Sequence, residues 1–205
     1  MKRVALQPEA LEASRRARLP TRWGPLVLQA FRTYSPSGDA VEHLAVLVGE
    51  PQGEGALVRL HSSCVTGDVL GSRKCDCGAQ LAHALDAMAK EGRGALLYLH
   101  QEGRGVGLFH KIEAYALQDE GANTVEANEK QGLAADARDY QAAAAMLRHL
   151  GLRDVRLLTN NPAKIAALEE AGVRVAQRVP LDVGRTPENA AYLAHKRDLM
   201  GHLLS

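Results

Sequence analysis

The apolar and polar positions divide the chain into a strand-rich first part and a second part in which helices and strands alternate. Thr21 to Tyr34 (TRWGPLVLQAFRTY), Glu42 to Gly49 (EHLAVLVG) and Gly55 to Ser62 (GALVRLHS) have the apolar content of strands, with Gly, Pro and Ser breaks between them. Their succession predicts an antiparallel meander. From Gly78 to Glu91 the period changes: Leu81, Leu85 and Met88 share one helical face, and Gly92 ends the run. Ala95 to Leu99 (ALLYL) reads as a buried strand, followed by a glycine-rich loop and a helix from Leu108 to Asp119. Residues 121–138 read as polar loop. Asp139 is placed to cap a helix running to Leu150, with Gly151 as its stop. Val155 to Leu158 is a short strand, Asn161-Pro162 opens a helix that Gly172 closes, and Val173 to Val179 is a last strand. The tail from Pro187 is an amphipathic helix. The expected fold class is α/β (α+β), a strand-rich N-terminal part with a mixed sheet flanked by helices. Residues 1–18 are expected as a flexible leader, frayed up to about Pro20, and 19–205 as a single domain with no internal repeat.

Composition narrows the classes of function. With 205 residues, 46% hydrophobic and 24% charged, the chain has enough material for a sizeable core without staples. A net charge of +1 and an aromatic content of 4% give no support to nucleic-acid binding or base-stacking platforms. No apolar run is long enough to span a bilayer, and the first nineteen residues lack the apolar core of a secretory signal. The expectation is a cytoplasmic protein with no nucleic-acid or membrane partner. In a reducing compartment, clustered thiols are more often metal ligands or catalytic groups than disulfides.

All three cysteines lie in His61 to Gln80 (HSSCVTGDVLGSRKCDCGAQ), just ahead of a helix. Thiolates are good zinc ligands and zinc prefers four. Three cysteines with water in the fourth position describe a catalytic site. His61, three residues before Cys64, could instead close a structural site, and three unrelated buried thiols are the third reading. Glu102-Gly103-Arg104-Gly105-Val106-Gly107 joins a strand to a helix, so it is either a phosphate cradle or a tight surface turn. It is not the dinucleotide fingerprint. Asp136 and Arg138 could serve as proton acceptor and phosphate ligand, or form a solvated ion pair. Tyr115, alone on its helix, reads as core. Thr159 to Lys164 leave a strand end for a helix start, where α/β proteins place ligands; Lys164 is either a phosphate contact or a surface lysine.

Taken together, these stretches resemble GTP cyclohydrolase II, the family that opens riboflavin synthesis. The match is carried by CxTGDxxGSxxCDCGxQL from Cys64 to Leu81, QEGRGVGL from Gln101 to Leu108 and KIxAYALQDEGxxTVEAN from Lys111 to Asn128. AADxRDY from Ala134 to Tyr140, VRLLTNNPxK from Val155 to Lys164 and MGHLL from Met200 to Leu204 extend it. The resemblance implies zinc, one per subunit, on Cys64, Cys75 and Cys77. It implies Tyr115 as the residue orienting base and water, Asp136 as proton acceptor and Arg138 as the arginine at the α-phosphate, either attacking it as a nucleophile or clamping it electrostatically. Arg59, Leu60, His61, Ser62, Ser63, Gln80, Glu102, Gly103, Arg104, Thr124, Thr159 and Lys164 match positions lining the GTP site. Glu102 and Gln80 are suited to read the guanine edge. Mg2+ accompanies the triphosphate, the products are formate, pyrophosphate and a diaminopyrimidinone ribosyl phosphate, and a homodimer is the family expectation. The chain is too short for the dihydroxybutanone-phosphate synthase domain to which the family is sometimes fused, and reads as the free-standing form. The alternatives are a degenerate paralogue, a zinc hydrolase of another purine nucleotide, and a non-catalytic zinc-stabilised binding module.

The chain departs from the family pattern at a few positions. Ser63 stands where a glutamate is usual, His100 where an arginine is common, His110 and Glu113 in the opening of the helix after the glycine loop, and Lys74 before the Cys-Asp-Cys turn. His100 exchanges a permanent cation for one that titrates near neutrality, which bears on triphosphate binding if it faces the site.

Overall fold

The computed structural model describes residues 11–34, 38–121, 126, 131–133 and 136–204. Among these, eight strands form one mixed sheet: β1 (Glu12–Ala13), β2 (Ala17–Thr21), β3 (Gly24–Tyr34), β4 (Ala40–Val48), β5 (Ala56–Ser62), β6 (Gly94–Leu99), β7 (Asp154–Leu158) and β8 (Arg174–Val179). The helices are α1 (Val65–Asp68), α2 (Cys77–Glu91), α3 (Leu108–Asp119), α4 (Gln141–His149), α5 (Pro162–Glu170) and α6 (Ala190–Met200), with short 3-10 turns at Glu102–Gly105 and Pro187–Asn189. No described helix is long and apolar enough to cross a membrane.

The strand order is β1-β3-β4-β6-β5-β7-β8, with β2 also on β3. β3, β4 and β6 pair antiparallel, whereas β6, β5, β7 and β8 pair parallel. The α/β expectation of a mixed sheet flanked by helices therefore holds, with two differences inside it. β5 is not the third strand of a meander, because β6 lies between it and β4. Its run Ala56–His61 is buried throughout, as suits a parallel strand covered on both faces rather than a half-solvated hairpin strand. Residues 12–13 and 17–20, expected in the stretch frayed up to about Pro20, pair with β3, and Pro20 sits opposite Pro25 on an exposed edge.

Alternation along the central strands builds two cores. Ala56, Val58 and Leu60 of β5 join Ala95, Leu97 and Leu99 of β6 under α4 and α5. Leu57 and Leu96 face the other way, against Ala84, Leu85 and Met88 of α2. This period of two puts Arg59 and His61 on the α2 side of the sheet. Helix starts and stops follow the sequence signals. The Asn161 side chain accepts from Ala163 N with Pro162 in the first turn. Asp139 Oδ1 accepts from Gln141 N at 2.6 Å. Gly92 closes α2 in a left-handed conformation. Most of residues 121–138 lie outside the described residues.

Candidate active site

β5, β6 and β7 run in parallel, so their C-terminal ends lie along one edge of the sheet. The loops leaving that edge enclose a cavity of ≈ 440 Å³, a volume suited to a small-molecule ligand. The cysteine loop follows β5, the glycine-rich turn follows β6 and Thr159–Lys164 follows β7, while α3 and α6 supply further walls. Basic side chains of Arg59, Arg104, Lys111, Arg138, Lys164 and Lys196 outnumber the carboxylates of Glu102, Asp119 and Glu188 in the lining. A cavity with this lining favours a polyanion.

The sulfur ligand atoms of Cys64, Cys75 and Cys77 lie within 4.8 Å of one another, and these residues are the one group with metal-holding geometry among the described residues. Cys64 Sγ and Cys75 Sγ are 3.8 Å apart. A tetrahedron of ligands at the usual Zn–S distance of about 2.3 Å has an edge of about 3.8 Å, so the donor set fits zinc. Gly67 is part of this fit: a Cβ there would stand 2.9 Å from Cys75 Sγ and 3.2 Å from Cys64 Sγ, so only hydrogen leaves the sulfurs their room. Hydrogen bonds from Cys75 and Cys77 hold the Cys64 thiol well below the usual range, and the same sharing pushes Cys77 up. A bound cation removes such protons outright, so metal affinity rises with pH.

His61 does not close the metal site. Its Nε2 is 3.1 Å from both oxygens of Asp68, and its ring stacks on Tyr98 with centroids 5.5 Å apart. Asp68, with a side chain only 3% exposed, also accepts from Cys64 N at 3.0 Å and Tyr98 Oη at 2.8 Å. His61 and Asp68 thus fix the turn that presents Cys64. Asp68 belongs to the Thr-Gly-Asp signature, but nothing in the sequence revealed this use.

Other expected site residues fall into three groups. Arg59, His61, Ser62, Ser63, Gln80, Glu102, Gly103, Arg104, Tyr115, Arg138, Thr159 and Lys164 line the cavity with the cysteines. Leu60 does not: its side chain is wholly buried in the core, and its carbonyl accepts from Lys164 Nζ at 2.7 Å. Asp136 is absent from the lining and instead grips Arg138, accepting from its backbone N at 3.0 Å, from Nε at 2.8 Å and from a terminal guanidinium nitrogen. Thr124 lies outside the described residues.

Several of these groups have their ordinary charge behaviour altered. Burial lowers Lys164 well below the usual lysine range, and Arg59, Arg138 and Lys196 push it further down. Burial brings Arg59 down to about 10, opposed by the Asp76 carboxylate. Burial also acts to lower Arg138, but Asp136 outweighs it and the guanidinium is raised above its ordinary value. Burial raises Tyr115, keeping its phenol protonated. Tyr115 is a cavity residue rather than core, with its Oη 3.5 Å from Thr66 Oγ1.

The glycine-rich turn is strained. Arg104 has φ 62, the one positive value at a described non-glycine residue, and this left-handed conformation costs about 1–2 kcal/mol. Its guanidinium lies over Tyr192 with one terminal nitrogen buried and unpartnered. Glu102 is already engaged: one oxygen accepts from Val65 N at 2.7 Å, the other from Lys111 Nζ at 2.7 Å and Gly103 N at 3.1 Å. Lys111 Nζ also lies 3.1 Å from Cys64 Sγ, a contact the sequence did not suggest.

The departures are placed unevenly. Ser63 and Lys74 line the cavity, and Ser63 Oγ accepts from Gln101 N at 3.2 Å. His100 does not face it; the residue is exposed, and its backbone N donates to His43 Nδ1. His110 pairs with Gln131 and Glu113 is exposed, both away from the lining.

Comparison with known proteins agrees with this arrangement. A family model described as GTP cyclohydrolase II matches residues 12–180. The chain is 52% identical over 189 residues to GTP cyclohydrolase-2 of Pseudomonas putida (strain W619), covering 92% of this chain and 91% of that protein. It is 51% identical over 189 residues to GTP cyclohydrolase-2 of Neisseria meningitidis serogroup C, strain FAM18, covering 92% and 94%. It is 57% identical over 190 residues to riboflavin biosynthesis protein RibBA of Salinispora arenicola (strain CNS-205), covering 92% of this chain and 44% of that longer protein. Three gathered thiols in a cavity lined with cations, together with likeness along nearly the whole chain, place it: this protein belongs to the GTP cyclohydrolase II family.

Proposed function

We propose that this protein hydrolyses GTP, opening the imidazole ring and releasing formate and pyrophosphate, with a diaminopyrimidinone ribosyl phosphate as the remaining product and riboflavin as the end of the route. The observation that carries this reading is the position of the thiol cluster in a cavity with a surplus of cations. One polyanionic substrate can then hold its phosphates on the basic wall while its base reaches the sulfur ligands.

Cys64, Cys75 and Cys77 would hold zinc, which when bound supplies Lewis-acid activation of water for attack on a ring carbon at neutral pH. The chain's own residues do the rest. Lys111, kept cationic by Glu102, places positive charge against Cys64 and tempers the negative charge of the thiolate set. The Tyr115 phenol, protonated and beside Thr66, is a donor suited to orient the base. The Gln80 amide keeps one N–H and one oxygen lone pair free of Asp76 and Arg59 to read the purine edge. Glu102, committed to Val65 N and Lys111, serves better to brace the cysteine turn than to read the base.

Arg104, Lys164 and Arg138 receive the phosphates. A guanidinium raised above its ordinary value by Asp136 stays protonated, so Arg138 acts as an electrostatic clamp on the α-phosphate and the leaving pyrophosphate rather than as a nucleophile. Asp136, whose burial is outweighed by Arg138, stays ionised and keeps the clamp in place. Mg2+ accompanying the triphosphate would complete the charge balance. The reading also carries a cytoplasmic location and a homodimer, the latter supported by exposed Val69, Leu70 and Phe109, apolar side chains that a second copy would cover.

Incubating the zinc-loaded protein with GTP tests this directly. Formate and pyrophosphate are expected together; neither product would remove the reading. Cys75→Ser is expected to lose formate release and bound zinc in step, and full activity in that variant would refute the metal role.

A further inference from the structure

The family model ends at residue 180, although the likeness to whole relatives runs past that point, and the cavity continues beyond it too. Tyr192, Lys196, Met200 and His202, all from α6 and the residues after it, line the same space as the cysteines and Gln80. The segment is tied back to the site: Leu203 N donates to Asn160 O at 2.8 Å, and Gly201 turns the chain in a left-handed conformation after α6. Tyr192 lies beneath two cations, Lys196 Nζ at 4.4 Å and the Arg104 guanidinium at 5.6 Å from its ring centre.

Lys196 also reaches into the Cys-Asp-Cys turn. Its Nζ donates to Asp76 Oδ1 at 2.6 Å, and Asp76 is 2% exposed. The second oxygen of Asp76 accepts from Gln80 Nε2 at 2.7 Å, and Gln80 Oε1 accepts from Arg59 at 2.5 Å. Arg59 in turn donates to Leu158 O at 2.9 Å. A carboxylate only accepts and a guanidinium only donates, so these two neighbours allow the Gln80 amide a single orientation. A carboxylate this buried is tolerated only with a paired cation, and among the described residues Lys196 is the one in contact with it. With that cation removed, Asp76 would be left buried without its paired charge, and the hold on the amide would loosen.

We propose that the C-terminal helix is part of the nucleotide site and that Lys196 is a positioning residue for base recognition, setting the Gln80 amide through Asp76. This deepens the reading of the cavity as a GTP site and rests on it. The test compares the full zinc-loaded chain with Lys196→Met and Lys196→Arg, measuring KM and kcat for GTP, the inhibition constant of ATP and zinc content. Lys196→Met is expected to raise KM for GTP about tenfold, with the larger share of the loss in KM rather than kcat. ATP, which lacks the guanine edge, should change less than about twofold, zinc content should hold, and Lys196→Arg should recover to within about threefold of the parent. KM unchanged in Lys196→Met, equal losses for GTP and ATP, or zinc lost in step with binding would each overturn the assignment. Lys196→Gln, which keeps a donor toward Asp76 without the charge, is the second variant if Lys196→Met does not fold; no rise in its KM would equally overturn it. A parent chain that binds GTP without releasing formate removes the proposed reaction alone, and equilibrium titration with GTP and ATP then carries the same comparison. A parent that does not bind GTP removes both.

Discussion

The antiparallel and parallel halves of the sheet are built from similar apolar strands but leave different things at their ends. In β3 and β4 neighbouring ends point opposite ways, and the pair is a long ladder from Leu26 opposite Val48 to Tyr34 opposite Ala40. In β5, β6 and β7 the ends Ser62, Leu99 and Leu158 lie along one edge, and each delivers a loop to the same cavity. Parallel pairing is what gathers three sequence-distant loops, so the chemistry collects there while the antiparallel half supplies covered surface. Charge follows the same division. The chain as a whole carries +1, but in the cavity lining basic side chains outnumber carboxylates.

The comparison breaks if the two halves cannot be damaged separately. Arg138→Met should lower kcat about a hundredfold or more, the usual loss when a preorganised charge at a leaving group is removed. Its melting midpoint should stay near that of the parent. A large loss of stability with modest loss of rate would mean that the clamp is structural instead.

His43 provides the converse in the antiparallel half. Burial, with the charge of His100 second, pulls it down to about 4 from 6.5. Between these values the unfolded chain binds the proton and the folded one does not, so stability rises with pH. The contribution is fully present above about pH 6.5 and lost as pH falls through about 4, amounting to about 3 kcal/mol. Denaturant unfolding across that window should show the slope, and His43→Gln should flatten it. An unchanged slope would show that His43 charges freely inside the fold.

The smallest effect sharpens the border between the halves. Arg104→Gly removes the cost of a left-handed arginine and should stabilise the chain by up to about 1 kcal/mol, while weakening GTP binding. If the variant is both less stable and fully active, the strain serves no substrate contact.

Much of this was legible from residues close in sequence. Periodicity located the central strands and the longer helices, and the spacing of Cys64, Cys75 and Cys77 marked a candidate metal site that the geometry then gathered into one cluster. β5 was misplaced because an apolar run such as Ala56–Leu60 names no partner; its burial on both faces, unlike the polar-apolar alternation of an outer strand, was the available clue. The employment of side chains was harder to see. Glu102 read as a base contact because its carboxylate is conspicuous in the loop, but the backbone N–H it satisfies belongs to Val65, 37 residues earlier. Lys164 was as easily a surface lysine, since its acceptor is the carbonyl of Leu60, 104 positions away. Local patterns carry no information about which distant backbone group will need a partner.

Those separations also set a timetable. Arg59 meets Leu158 O across 99 positions, and Asp76 meets Lys196 across 120. At a synthesis rate of about 5–20 residues per second, Lys196 is made roughly 6–24 s after Asp76. For that interval the cysteine turn exists without the brace that Lys196 gives it through Asp76. The pocket is therefore completed after the sheet, and a chain stopped between Val179 and Lys196 would carry a finished sheet and an unfinished pocket.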